Sequence, residues 1–473
     1  MFMRRAKIVV TLGPAVSDLD SVRDLISAGA DVFRMNLSHG SLDFHREVFL
    51  NVRTAAAELD RHIAIFADLQ GPKIRLGRFA SGPYTLQEGD IFTITTEQVL
   101  GTKELSSTTL PTLPDNVSEG DLLLIDDGKV ALRAIGNDGV RITTRVEVPG
   151  KVSNNKGINL PGVGVKVPAL SEKDIDSLRW ALSLPVDMIA LSFVRCASDV
   201  DAVHKVMDEE GIRLPVIAKI EKPQAVSAIE EIALRFDAIM VARGDLGVEL
   251  PLEDVPVAQK EIVKVARRFA RPVIIATQML ESMISSSRPT RAEASDVANA
   301  VLDGADALML SGETSVGEWP VEAVRVMSRV IEKTEEKAIS QIVGFGTTPK
   351  TQGGALAWAA AKVAEFIDAR YLCVFSESGD SIRRVSRLRH DIPIIGFSPV
   401  GSVVRQVSLS WGVRCFLIER LHQTDQMMRK AEHVLLTNNL AEIGEKIVII
   451  SGSPVGVPGS TNHMRIHELG STS

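Results

Sequence analysis

The 473-residue sequence holds three cysteines, Cys196, Cys373 and Cys415, far apart and without ligand spacing. That excludes a disulfide framework and a cysteine-built zinc site. Aromatic residues are scarce at 4%, while Ala, Val, Ile and Leu are abundant, the bias of buried parallel strands in α/β proteins. There is no basic surplus: the formal charge is −7, which argues against a nucleic-acid surface. An anionic substrate must then be held by a few placed cations rather than by a global field. No run approaches the roughly 18 uninterrupted apolar residues of a membrane span. The basic-then-apolar start, residues 1–10, meets Gly13-Pro14 and the charged Asp18, Asp20 and Arg23 too soon to read as a signal peptide. No solenoid repeat and no low-complexity tract is present. These absences leave a cytoplasmic enzyme or binding protein as the expectation, with two to four domains for a chain of this length.

One pattern recurs: an aliphatic run, a short polar or glycine-containing loop, then a helical period. The runs lie at 7–12, 32–37, 63–69, 188–194, 215–221, 238–241, 273–277 and 307–310. Between the first two, Leu19, Val22, Leu25 and Ile26 share one helical face, with Ser17 placed to cap it. Periodicity does not separate a closed barrel from an open doubly wound sheet, but eight such units favour a parallel (β/α)₈ barrel. The alternation breaks between about residues 71 and 165, where Gly, Thr and Pro rise and short alternating runs such as 84–96 and 121–134 appear. This segment reads as a small β-barrel domain inserted after the third strand. Gly71-Pro72 and Pro161-Gly162-Val163-Gly164 stand where hinges belong. The expected division is a barrel from 1–70 and 166–340, an inserted lid from 71–165, and a C-terminal α/β domain from 341–473. That last domain carries strand-like runs at 371–375, 392–397, 414–418 and 446–450.

Chemistry in a (β/α)₈ barrel sits at the C-terminal ends of the strands. Those positions hold Arg34, Asn36, Ser38, Asp68, Lys219, Glu221, Asp245, Thr277, Ser311 and Glu313. Glu221 and Asp245 are hard oxygen donors, and two carboxylates completed by substrate oxygens suit Mg²⁺ or Mn²⁺. Arg34 can grip a phosphoryl group bidentately, and Lys219 offers a compact charge where negative charge develops. An acid near a strand end is often only a helix cap, and a lone Thr277 or Ser311 says little. Lys219 and Glu221, however, are two apart on one strand and face the same way. Burying both charges in a barrel mouth is costly unless they serve a ligand.

Six segments now carry a family resemblance: Phe33-Arg34-Met35-Asn36-Leu37-Ser38-His39-Gly40, Ile217-Ala218-Lys219-Ile220-Glu221, Met240-Val241-Ala242-Arg243-Gly244-Asp245-Leu246-Gly247, Ala276-Thr277-Gln278-Met279-Leu280-Glu281-Ser282-Met283, Arg288-Pro289-Thr290-Arg291-Ala292-Glu293 and Leu310-Ser311-Gly312-Glu313-Thr314. In this order they resemble the motifs of pyruvate kinases, and the likeness spans the whole chain. The resemblance implies phosphoryl transfer from phosphoenolpyruvate to ADP, giving pyruvate and ATP. It implies that Arg34 and Lys219 bind the phosphoryl group, with Lys219 stabilising the transition state. Glu221 and Asp245 would hold Mg²⁺, the backbone at Gly244 and Asp245 would receive the substrate carboxylate, and Thr277 would sit near the methylene carbon. Asn36 and Arg75 would meet the nucleotide. No covalent nucleophile is needed. The same resemblance implies a homotetramer, an allosteric sugar-phosphate or nucleotide-monophosphate site on Ser376, Ser378, Gly379 and Ser381, and a facing loop at 451–462.

The sequence departs from the family pattern at the monovalent-cation site, which the resemblance assigns to Asn36, Ser38, Asp68 and the Leu69 carbonyl. Potassium-dependent relatives carry Thr and an acid where this chain has Leu69 and Lys73. A lysine ammonium there would oppose K⁺ by about 4 kcal/mol at 4 Å and an effective dielectric of about 20. Activity without K⁺ is therefore expected, with Lys73 supplying the charge. Cys196 replaces a lysine that contacts nucleotide in some relatives. Glu377 and Asp380 in the effector loop disfavour a doubly phosphorylated ligand. Two rival readings stay open at this point: a barrel aldolase with Lys219 as Schiff-base amine, and a metabolite sensor without catalysis.

Overall fold

The computed structural model describes residues 4–163, 168–342, 344, 346, 348–453 and 461–471. Gly164 of the second hinge, the expected boundary at 165/166 and most of the 451–462 loop lie outside the described residues. Eight parallel strands close a barrel in chain order: β1 (Lys7–Thr11), β2 (Val32–Asn36), β3 (Ala64–Asp68), β4 (Met188–Leu191), β5 (Val216–Ile220), β6 (Ala238–Ala242), β7 (Val273–Ala276) and β8 (Ala307–Leu310). Closure is made where Lys7 pairs with Ala307 and Val10 with Leu310.

Side-chain alternation gives each strand two buried faces. Val9, Val32, Ala64, Phe66, Ala190, Ile217, Met240, Ile274 and Met309 fill the barrel interior. Their neighbours, such as Ile8, Val10, Phe33, Ile65 and Ile239, face the surrounding helices in a second, larger core. The parity decides where the chemistry goes. Thr11, Arg34, Asp68, Ser192 and Lys219 each stand two residues beyond an interior side chain, so all point into the barrel mouth.

The first barrel helix, Leu19–Ala28, starts one residue later than its capping signal suggested. Asp18, not Ser17, accepts the Ser21 N–H, because the helix begins only after the short 3₁₀ turn Pro14–Val16. The segment inserted after β3 has its own core, including Leu76, Phe92, Ile94, Leu132 and Ile142. It forms a six-stranded sheet, in spatial order Ile158–Asn159, Leu122–Ile125, Val130–Asn137, Arg141–Val148, Ile91–Thr95 and Leu105–Ser107, with a separate pair Tyr84–Leu86 and Gly150–Val152. Among the described residues the pairings leave two sheet edges and do not join them into a ring. At the C-terminal end five strands, in spatial order Val413–Leu417, Ile394–Ser398, Tyr371–Phe375, Lys446–Gly452 and Thr461–Glu468, form a sheet with the last strand antiparallel. Leu409 from this region plugs the barrel floor, packed into the interior cluster.

Candidate active site

The mouth is built around Lys219. Its Nζ donates to Ser192 Oγ at 2.6 Å and lies 2.9 Å from Glu221 Oε1 and 3.3 Å from Asp68 Oδ1. Arg34 Nε donates to the other Asp68 oxygen at 2.7 Å, and its Nη1 to Thr11 Oγ1 at 3.3 Å. Glu221 and Asp68 are both 1% exposed, so neither carboxylate is relieved by water. Burial alone would lower the Lys219 pKa, but Asp68 and Glu221 outweigh it and hold the ammonium above its ordinary value. Burial would likewise raise Asp68, yet Lys219 and Arg34 together hold it below the usual carboxylate range. Glu221 goes the other way: burial and the nearby Asp245 push it up, against the pull of Lys219. Two carboxylates within 3.3 Å keep the Lys219 proton in place. Burial is the first cause of the rise at Glu221, and separately the three carboxylates Asp68, Glu221 and Asp245 face only two cations, a shortage of positive charge.

That shortage is the test of fit for a divalent cation. Glu221 and Asp245 are oxygen donors of the kind Mg²⁺ and Mn²⁺ take, and a cation beside them would supply the missing charge. Asp245 stands in the first turn of the helix Arg243–Glu249, where free N–H groups also favour an anion. Within that turn the Gly244 N–H donates to Thr277 Oγ1 at 2.8 Å, and the Thr277 hydroxyl donates to the Ala276 carbonyl at 2.6 Å. Arg243 braces the pair through the Thr277 carbonyl and Asp296.

Backbone strain collects around the mouth. Phe193 (φ 55°), Thr277 (φ 68°) and Gln278 (φ 55°) hold left-handed conformations that bulky and β-branched residues avoid. Each costs on the order of 1–3 kcal/mol, and such strain persists only where the surroundings over-determine it. The Phe193 N–H donates to Glu221 Oε2 at 2.8 Å, one return on that strain.

Several expected residues take other places. Glu313 caps its surroundings, accepting the Ser311 and Leu280 N–H groups, so it serves the fold. The Asn36 side chain accepts the Ser38 N–H at 3.2 Å, and Asn36 pairs in register with Asp68, so these three are adjacent. The Leu69 carbonyl accepts the Ser192 hydroxyl at 2.8 Å. Lys73 is not brought onto Asp68: its side chain lies against Gly157, where an added Cβ would meet Lys73 Cε at 3.1 Å. Its charge still reaches His39, whose pKa is lowered by burial first and then by Arg75, Arg34 and Lys73. The Arg75 guanidinium donates to the Asn155 carbonyl in the inserted domain. Cys196 heads a 3₁₀ turn, its Sγ 3.2 Å from Ser198 Oγ.

In the C-terminal domain the loop at Ser376, Ser378, Gly379 and Ser381 enters the helix Asp380–Ser386, with Gly379 at φ 78°. Ser381 Oγ meets Thr461 Oγ1 at 2.5 Å, and the Ser376 N–H donates to the Phe397 carbonyl. The acids that seemed to oppose a second phosphate are paired, Asp380 with Arg384 and Glu377 with Arg420. Ser192 and Thr11 escaped the sequence reading. The signal was the parity itself, since each follows an interior residue by two.

Comparison with known proteins gives a consistent picture. A family model described as the pyruvate kinase barrel domain matches residues 3–324, and one described as the pyruvate kinase alpha/beta domain matches 354–467. The chain is similar to the pyruvate kinase of Corynebacterium efficiens, 51% identical over 467 residues that cover 99% of this chain and 98% of that one. It is 51% identical to the pyruvate kinase of Mycobacterium tuberculosis, over 99% of each chain. Its fold matches the crystal structure of a pyruvate kinase from Cryptosporidium parvum with a TM-score of 0.92, at 35% identity, covering 98% of this chain and 96% of that one.

Proposed function

The chain belongs to the pyruvate kinase family of phosphotransferases, and on that premise we propose that Arg34, Lys219, Glu221, Asp245 and Thr277 carry transfer between phosphoenolpyruvate and ADP at the barrel mouth. The observation behind this reading is the quartet of buried Asp68, Lys219 and Glu221 with half-buried Arg34, tied by contacts of 2.7 to 3.3 Å. Glu221 and Asp245 would hold Mg²⁺ or Mn²⁺, which when bound neutralises substrate oxygens and offsets developing enolate charge. The protein's own part is positioning and charge. Arg34, fixed by Asp68, presents its remaining N–H groups to the phosphoryl oxygens. Lys219 stays protonated, so it donates to the phosphoryl group as charge moves toward the leaving oxygen. The opening of the helix at Arg243–Glu249 receives the substrate carboxylate through the Asp245 N–H, joined by the Gly244 N–H once it leaves Thr277. Thr277 Oγ, anchored to Gly244, faces the reacting carbon and can pass a proton.

A Schiff-base role for Lys219 needs a neutral amine, and the two carboxylates that hold its proton oppose that. The decisive assay is pyruvate formation from phosphoenolpyruvate and ADP, with and without Mg²⁺, in the parent and in Glu221→Ala. Metal-dependent activity lost in the variant supports the assignment; an active Glu221→Ala enzyme refutes it. Activity without K⁺ remains part of the reading. Asp68 already serves two protein cations, and Lys73 is one of the cations whose charge acts on His39. Full activity only after K⁺ is added to a tetraalkylammonium buffer would remove it. A phosphorylated effector at Ser376, Ser378, Gly379 and Ser381 is supported by the hydroxyl-rich turn alone, because the ion pairs of Asp380 and Glu377 remove the charge argument against a bisphosphate. Thermal-shift titration with mono- and bisphosphorylated sugars separates the two. Assembly as a homotetramer is checked by sedimentation.

A further inference from the structure

Two consecutive residues after β4, Ser192 and Phe193, touch both working side chains of the mouth. The Ser192 hydroxyl donates to the Leu69 carbonyl and so turns a lone pair to Lys219 Nζ. The Phe193 N–H, held by a left-handed backbone, fixes the second oxygen of Glu221. The same two side chains close over Gly71, the residue through which the chain enters the inserted domain. An added Cβ at Gly71 would lie 2.7 Å from Phe193 Cδ2 and 2.9 Å from Ser192 Cβ, and Gly71 itself holds φ 74°. Its N–H is pinned by Asp174 Oδ1 at 3.0 Å, at the start of the helix that resumes the barrel.

The returning strand reaches the same turn. Asn159 donates to Glu249 Oε1 at 3.1 Å, Glu249 is paired with Lys222, and Lys222 Nζ stands 5.8 Å from the centre of the Phe193 ring. The outgoing hinge at Gly71 thus lies directly on one strained turn, Asn159 of the inserted domain reaches it through Glu249 and Lys222, and the turn itself touches Lys219 and Glu221.

We propose that the Ser192–Phe193 turn is a positioning element that couples the placement of the inserted domain, through Gly71, to the geometry of Lys219 and Glu221. A change at the hinge then alters cation binding at a distance from the ligands, before any nucleotide is present. The inference rests on the assignment of Glu221 as a metal ligand.

The test is Mn²⁺ titration of the nucleotide-free full chain, followed by loss of the free-ion electron paramagnetic resonance signal. Gly71→Ala is expected to weaken Mn²⁺ binding about 10- to 100-fold, the usual effect of disturbing a ligand's supporting partner. In a double-mutant cycle with Phe193→Gly, which removes the ring and relieves the strain, the two losses should be clearly less than multiplicative. Should Gly71→Ala fold poorly, Ser192→Ala is read instead: kcat falls about 10- to 100-fold with little change in KM for phosphoenolpyruvate, and Ser192→Thr recovers most of it. Unchanged Mn²⁺ affinity in Gly71→Ala, with Glu221→Ala losing the ion, overturns the coupling alone, as do fully multiplicative losses or failure of threonine to rescue. Undiminished Mn²⁺ binding in Glu221→Ala overturns the metal assignment and the coupling with it.

Discussion

The two ends of the barrel both bury charge, but they satisfy it differently. At the mouth, ionised groups are held mainly by one another: Arg34 by Asp68, and Lys219 by Asp68 and Glu221. At the floor, where the C-terminal domain docks, ion pairs such as Arg4–Asp31 and Arg405–Asp187 occur as well, but several cations lean on backbone carbonyls. Arg5 donates to the carbonyls of His390 and Asp391, Lys7 to that of Val413, and Arg387 to that of Arg268. Arg389 combines the two, pairing with Asp306 at 2.7 Å and donating to the Gly304 carbonyl. Burial is the largest cause lowering the pKa of Arg5, Lys7, Arg267 and Arg387, and it outweighs the carboxylates that pull the other way, such as Asp391 on Arg5 and Asp31 on Lys7. A carbonyl that accepts a guanidinium has finished its work, and the contact is cement. A carboxylate that shares a lysine with another carboxylate can still accept a further cation. That difference separates the chemical end from the structural end, in keeping with where barrel enzymes keep their sites.

The comparison can be broken most sharply at Lys219. Lys219→Met should reduce kcat by about 10²- to 10³-fold in steady-state assays, the usual loss for one preorganised donor to developing charge. A loss of less than about tenfold would mean the mouth is cement as well. Next comes Arg389→Met at the floor, which strands the buried Asp306 carboxylate. About 3–5 kcal/mol of stability should disappear in urea unfolding, with kcat of the folded fraction unchanged. Lys7→Met leaves the Val413 carbonyl without its donor while Asp31 keeps Arg4, so a smaller loss of about 1–3 kcal/mol is expected from the same measurement.

Acid provides a separate test of the floor. His390 lies in the floor, buried, and burial followed by the charge of Arg5 pushes its pKa down to about 3. Below its ordinary value of about 6.5, the unfolded chain takes a proton that the folded chain refuses. Stability should therefore fall on acidification from about pH 6.5 toward 3, by up to about 1.4 kcal/mol per pH unit from this group, and His390→Asn should flatten that slope. Lys219 has the opposite sign. Its raised pKa contributes stability that is fully present below its ordinary value and lost only as pH climbs through the folded one. Acid melting curves of the parent and the His390 variant distinguish the two regions.

Much of this was legible in the chain. Aliphatic runs separated by helical periods identify eight barrel strands, because a strand buried on both faces must be apolar along its length. The last strand, Thr461–Glu468, escaped detection because an edge strand bearing Asn462, Arg465 and Glu468 on half-exposed faces lacks that run. Arg34, Lys219, Glu221, Asp245 and Thr277 were nameable from strand-end positions and motif order. Lys73 shows the limit, since its number places it on a hinge but not against Gly157.

Eight strand–helix units, the residues at their strand ends and their charge were thus set locally, because alternation and hydrophobicity are properties of a single strand. Only the tertiary structure decided which charges meet. Asp68 and Lys219 are far apart in the chain, and barrel closure with the turn at Ser192 and Phe193 brings them within 3.3 Å. It also decided that Glu313 is spent on the Leu280 amide, and that the hinge at Gly71 bears on one strained turn. Such pairings depend on packing between segments distant in sequence, which no local pattern encodes.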